Sequence, residues 1–174
     1  EVCFLDSFQF LYSGLATLIE QLSATKNDAL FHNLRKELCH ELFSISKRKG
    51  LYPYAYIDGL ERLDERVVPA QKEFTEGGLN SNSVVSDEDY AWVIDVWNRL
   101  KCKSLWDYTS FYMKVDVIGL ADVFEKFRND CIEGYGIDAS FFYSLPGLAW
   151  AAMLRKSGID LSQITDYEMF CFFE

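Results

Sequence analysis

Ser104–Arg128, SLWDYTSFYMKVDVIGLADVFEKFR, decides how the rest of the chain is read. Ser104 followed three residues later by Asp107 is a capping-box pattern, so a long helix is predicted to start there. Stepping about 100° per residue from Asp116 puts Leu105, Tyr108, Tyr112, Gly119, Leu120, Val123 and Phe127 on its side. Lys114, Glu125, Arg128 and Asn129 fall opposite. Asp116 therefore stands near the centre of the apolar face, where a carboxylate is costly unless it is hydrogen-bonded, paired or bound to a metal. Tyr112, one turn earlier on the same face, is within its reach. Two readings are open at this point. One is a core aspartate bonded to a backbone group or hydroxyl; the other is a metal ligand.

Outward from this helix, the chain reads as mainly helical. Ser86 and Asp89 form a second capping box before a helix carrying Tyr90, Val93, Trp97 and Leu100 on one face. Leucines at helical spacing predict a helix over roughly Leu11–Leu22 and another over Leu30–Ile45, with Ser23–Asp28 as a polar turn. Val2–Leu5 is a short apolar run expected as a strand. Gly59–Ser86 is loop-like, with Pro69, Gly77-Gly78 and the Asn/Ser run Asn80–Ser83. After Gly134 and Gly136, Asp138 is expected to cap a brief turn. Pro146 opens a helix that Gly158 closes, and Thr165–Phe173 forms a last one.

Composition bounds the function. Of the 174 residues, 49% are hydrophobic and 16% aromatic, enough for a packed core. The net charge of −10 argues against a protein that grips nucleic acid over its whole surface. No apolar run of about 18 residues predicts a membrane span. Cysteines 3, 39, 102, 131 and 171 are far apart and odd in number, which reads as reduced thiols in an intracellular protein. With them, His32 and His40 make no zinc-binding spacing. Glu1 opens the chain without Met or a basic leader, and Phe170–Phe173 closes it on an aromatic run, so a piece of a longer protein is expected.

The one dense basic cluster, Lys47-Arg48-Lys49-Gly50, runs into Leu51-Tyr52-Pro53-Tyr54-Ala55-Tyr56. Lysines that meet phosphates beside rings that stack on bases suit single-stranded nucleic acid. The competing reading is a solvated turn with its aromatics packed inward. Pro53 makes the segment extended or turning in either case.

Taken in order, FLDSFQFL, KGLYPY, Tyr112-x-x-x-Asp116 with its aliphatic tail VIGLADVF, and LPGLAW resemble the protein-primed branch of family B DNA polymerases. The likeness is greatest to those of Maverick/Polinton elements and related viruses and linear plasmids. A bare Y-x-x-x-D is unspecific; the ordered set covers nearly the whole chain. The resemblance implies a mainly α (α+β) piece of a DNA-directed DNA polymerase. Residues 1–133 would be the C-terminal part of an RNase H-like 3′–5′ exonuclease domain, with a loop-rich insertion at about 59–86. Residues 134–174 would be a helical connector toward the polymerase palm. It makes Asp116 a carboxylate ligand of Mg²⁺ and gives Tyr112 the orienting of the hydrolytic water or the scissile phosphate. Lys49, in Lys49-Gly50-Leu51-Tyr52, would stabilise phosphate charge during cleavage. Tyr54 would lie on the DNA near a frayed primer end. Partners implied for the intact enzyme are a DNA primer-template, deoxynucleotides and a terminal protein primer, at a nuclear or viral replication site.

Two-metal phosphoryl chemistry needs several carboxylates. The family's D-x-E and second exonuclease motif are expected before residue 1, and its palm motifs after residue 174. Asp6 in FLDSF follows a structural strand in relatives and is not one of the metal carboxylates. This chain alone is therefore expected to be inactive. The alternative is a degenerate or domesticated remnant that persists as a non-enzymatic binding module.

Overall fold

A computed structural model of the chain describes residues 4–74, 85–162 and 165–173. Among these the structure is mainly helical and contains no strand. The strand expected at Val2–Leu5 is not seen in its described half. Phe4 and Leu5 are irregular and exposed, while Val2 and Cys3 lie outside the described residues. The same is true of Gly77-Gly78 and Asn80–Ser83 in the expected loop.

The helices are α1 (Leu15–Ala24), α2 (His32–Glu37), α3 (His40–Ile45), α4 (Asp87–Leu100), α5 (Leu105–Tyr135), α6 (Leu145–Ser157) and α7 (Tyr167–Phe173). By packing they fall into two compact units. Residues 13–126 form one; residues 1–12 and 127–174 form the other.

Local chemistry explains most element ends. Ser86 Oγ accepts the Asp89 N–H at 3.2 Å and donates to the Asp89 carboxylate at 2.8 Å, so α4 starts on the expected capping box. At the start of α5 the Asp107 carboxylate reaches one residue further back than a capping box requires and accepts the Lys103 N–H at 2.8 Å. The first N–H of α5, from Leu105, is taken by the Glu65 carbonyl at 2.8 Å. Asp138 accepts from the Ser140 N–H and caps the turn at Ala139–Phe141. Pro146 sits in the first turn of α6 and Gly158 ends it at φ +65°.

Two helices differ from the periodicity. The first begins at Leu15 rather than Leu11. The Asp6 side chain takes the Phe8 N–H and closes a 3₁₀ turn at Ser7–Gln9, and Gly14 stands extended at the helix N-cap. The helix expected over Leu30–Ile45 is two helices, broken where Leu38 and Cys39 turn extended. No glycine or proline marks the break.

The larger unit buries Phe74, Val85, Val93, Val96, Leu105, Tyr108, Phe111 and Val115 as one core cluster between α4, the first half of α5 and the loop that precedes them. Ile19 of α1 and Leu34 of α2 are fully buried and meet α5 at Gly119. In the smaller unit Phe10 packs on Phe127 of α5, with ring centroids 6.2 Å apart. There the Arg128 guanidinium grips the Asp138 carboxylate at 2.5 and 2.9 Å.

Candidate functional site

The helical face predicted for α5 is the one the fold buries. Leu105, Tyr108, Tyr112 and Val123 are all buried, and Phe111 and Val115 widen the stripe. Asp116 is on it, half-buried, next to Val115 in the core cluster. Its Oδ1 is shut off from solvent and has no hydrogen-bond partner among the described residues. Desolvation raises the Asp116 pKa above the ordinary aspartate value. The Tyr112 hydroxyl and the Lys49 charge pull the other way and do not cancel it.

The segment after α3 is brought onto this part of α5. Pro53 is buried and breaks the chain into a turn, closed by the Tyr56 N–H on the Pro53 carbonyl at 3.1 Å. Tyr52 stacks on Tyr112 with centroids 4.8 Å apart and planes at 26°. Tyr54 meets Tyr112 edge-on and shares a 2.7 Å hydroxyl–hydroxyl hydrogen bond with it. The Tyr52 hydroxyl bonds Thr109 Oγ1 at 3.0 Å, and the Tyr108 hydroxyl donates to the Leu51 carbonyl at 2.6 Å. Burial, the bond to Tyr54 and the nearby Asp116 carboxylate together push the Tyr112 phenol far above its usual pKa, so it stays protonated.

Gly50 makes the close approach possible. A Cβ there would lie 2.9 Å from Cδ2 of the Tyr112 ring and 3.6 Å from Trp92. Any side chain would push the Lys49–Tyr54 segment off α5. Between them Gly50, Trp92, Tyr108 and Tyr112 help to line a cavity of about 10 Å³, room for roughly one water.

The basic cluster does not act as one patch. Lys47 pairs with Asp28 at 2.5 Å, and Arg48 pairs with Asp89 at 2.7 Å while lying over the Trp92 ring at 4.9 Å. That pairing and the Ser86 hydroxyl hold the Asp89 carboxyl below its usual range. Lys49 makes no ion pair among the described residues, and its charge acts on Asp116. All four residues singled out from the sequence, Asp116, Tyr112, Lys49 and Tyr54, are thus brought together. Sequence reasoning missed the supports. Arg48, Asp89 and Trp92 hold the segment from behind, and only the i, i+3, i+6 spacing Ser86–Asp89–Trp92 hinted at a common role for that end of α4.

Asp122 was missed too. It is 1% exposed, and its carboxylate accepts from the Asn33 N–H (2.9 Å), the Asn33 side-chain amide (2.9 Å) and the Leu34 N–H (3.0 Å). It thereby caps α2 from across the fold. Asp122 lies at i+7 from Val115 and i+3 from Gly119, and that stripe was the available signal.

For a metal, the donor set is incomplete. The unpartnered Oδ1 of Asp116 suits a ligand atom, yet no group of three His, Cys, Asp or Glu able to hold an ion occurs among the described residues. Among them, too, no helix is long and apolar enough to cross a membrane. No protein-family model, curated protein or solved structure matches the chain.

Proposed function

We propose that the chain is part of a family B DNA polymerase of the protein-primed branch. It would be the C-terminal portion of an RNase H-like 3′–5′ exonuclease domain with its connector toward the palm. The observation that carries this reading is the meeting of two motifs 58 residues apart, KGLYPY and Y-x-x-x-D, around a desolvated carboxylate oxygen that has no hydrogen-bond partner among the described residues. A core aspartate would have been given a partner, as Asp122 was.

In this reading Asp116 is one ligand of a divalent-metal pair, and the remaining carboxylates and the central sheet come from residues outside those described. When bound, the metal ions supply an activated water and a neutralised phosphate. This chain's own residues do the rest. Tyr112, fixed by Tyr54 and by stacking on Tyr52, keeps its proton and offers a hydroxyl beside Asp116 for a water or a phosphate oxygen. Lys49 brings a positive charge to the same place, where charge accumulates on a phosphate under attack. The net charge of −10 accords with a local site rather than a broad DNA-binding face.

The test uses the intact polymerase and two assays, mismatch excision and primer extension. Asp116→Asn is expected to abolish excision and leave extension intact. Lys49→Ala should slow excision by on the order of 10²–10³, also without loss of extension. Residues 1–174 alone should neither excise nor extend. Wild-type excision by Asp116→Asn would overturn the assignment. So would parallel loss of both activities with the melting temperature, which would make Asp116 a core aspartate.

A further inference from the structure

Lys49 and Gly50 stand on a stretch with almost no backbone support. Among the described residues, the main chain from Lys47 to Leu51 makes no backbone–backbone hydrogen bond. It leaves the end of α3 at Ser46 and reaches the Pro53 turn as irregular chain. Side chains from three helices hold it instead. Ser23 of α1 donates to the Lys47 carbonyl at 2.8 Å, and Tyr108 of α5 donates to the Leu51 carbonyl at 2.6 Å. Between these two points the polar attachment is Arg48, whose guanidinium donates to Asp89 at 2.7 Å and lies over the Trp92 ring at 4.9 Å, both on α4.

The α4 side of this attachment is oriented by its own local bonds. Asp89 takes the Ser86 hydroxyl on one carboxylate oxygen and Arg48 on the other. Trp92 is three residues further along, so the two share a face of the helix. A guanidinium can meet a carboxylate in its plane while its face lies on a ring, which an ammonium cannot. The Arg48 side chain is 43% exposed and that of Asp89 25%, and an ion pair so placed adds little to folding stability. Two residues on, the Cβ position of Gly50 is 2.9 Å from the Tyr112 ring and 3.6 Å from Trp92. Trp92 thus lies beside both Arg48 and Gly50.

We propose that Arg48 is a positioning residue: held between the Asp89 carboxylate and the Trp92 ring, it fixes the main chain at Lys49 and Gly50 against Tyr112 and so sets where the Lys49 charge falls. Through it α4, which supplies none of Asp116, Tyr112, Lys49 and Tyr54, controls their arrangement. The placement of the segment stands without the exonuclease reading; only the consequence for excision rests on that reading.

The test has an arm for each. In the 1–174 chain, the ring current of Tyr112 should set the two Gly50 Hα resonances well apart in the NMR spectrum. Arg48→Gln should collapse that separation, and so should Asp89→Asn. The two changes together should go no further than either alone, because both break one contact. Arg48→Lys keeps the charge without the stacking and should retain part of the separation. The melting temperature should stay within about 4 °C of the wild type throughout. Unmoved Gly50 resonances in Arg48→Gln, or movement only with a larger fall in melting temperature, would overturn the proposal. In the intact polymerase, Arg48→Gln should slow mismatch excision by up to about 10²-fold, and adding it to Lys49→Ala should cost nothing more. Additive losses would contradict positioning through Lys49. If Lys49→Ala excises at the wild-type rate, the exonuclease reading fails, and the Gly50 resonances still decide the role of Arg48.

Discussion

Asp116 and Asp122 stand six residues apart on one helix, both turned into the fold, and the fold treats them in opposite ways. Asp122 has three N–H donors at 2.9–3.0 Å, two from backbone and one from a side chain, and joins α5 to α2. Asp116 has a desolvated oxygen without a donor, a tyrosine hydroxyl nearby and a lysine acting on it through space. Burial costs a carboxylate several kcal/mol unless donors replace its water. The donors around Asp122 meet that cost. Around Asp116 the cost stays in the structure, which is the condition in which a site holds a group for something that arrives from outside. One carboxylate is thus part of the scaffold and the other is carried by it.

The largest effect expected from this contrast is at Asp122. Replacing it with Ala strands the Asn33 and Leu34 N–H groups at the start of α2, and should cost about 3 kcal/mol in urea denaturation of the 1–174 chain. A loss below about 1 kcal/mol would mean that the two carboxylates are not so different. The next is at Gly50. An Ala Cβ placed 2.9 Å from the Tyr112 ring should cost about 2 kcal/mol by overpacking. It should also move the Tyr112 ring resonances, because the ring must give way. Unchanged resonances would show that the segment is not pressed onto α5. The smallest is Tyr54→Phe, which deletes the bond to the Tyr112 hydroxyl but keeps the edge-on ring contact. The expected loss is about 1 kcal/mol or less, together with a fall in the Tyr112 pKa toward its ordinary value. A tyrosine titration that does not move would remove Tyr54 from the site.

The sequence made one side of the comparison legible. Apolar periodicity around Asp116 was enough to place it on the buried face, because a long helix with few breakers keeps its phase. Side-chain caps at Ser86 and Asp138, Pro146 in the first turn of α6 and Gly158 at its end were readable because each acts within a few residues. What could not be read were interactions between distant segments. The role of Asp122 depends on α2, 89 residues away. The pairing of Arg48 with Asp89 crosses 41 residues, and so the basic cluster looked like a single patch when two of its three cations were already engaged. The break between α2 and α3 has no glycine or proline to announce it. The expected strand rested on a short apolar run, which without a pairing partner is an ambiguous signal.

Stability against pH for the metal-free wild-type chain and Asp116→Asn, measured side by side by denaturant titration, tests the central claim most directly. The folded-state pKa of Asp116 is raised above an unfolded value of about 3.9, so the folded state holds the proton more tightly. Below the unfolded pKa both states are protonated and the carboxyl makes no difference. As pH rises through the folded pKa the desolvated carboxylate ionises, and the wild type should lose stability relative to Asp116→Asn, then stay lower up to pH 7. The account predicts that at pH 7 Asp116→Asn is as stable as the wild type or up to about 2 kcal/mol more stable. A variant less stable than the wild type at pH 7, by an amount comparable to the loss at Asp122, would make Asp116 a structural aspartate and contradict it.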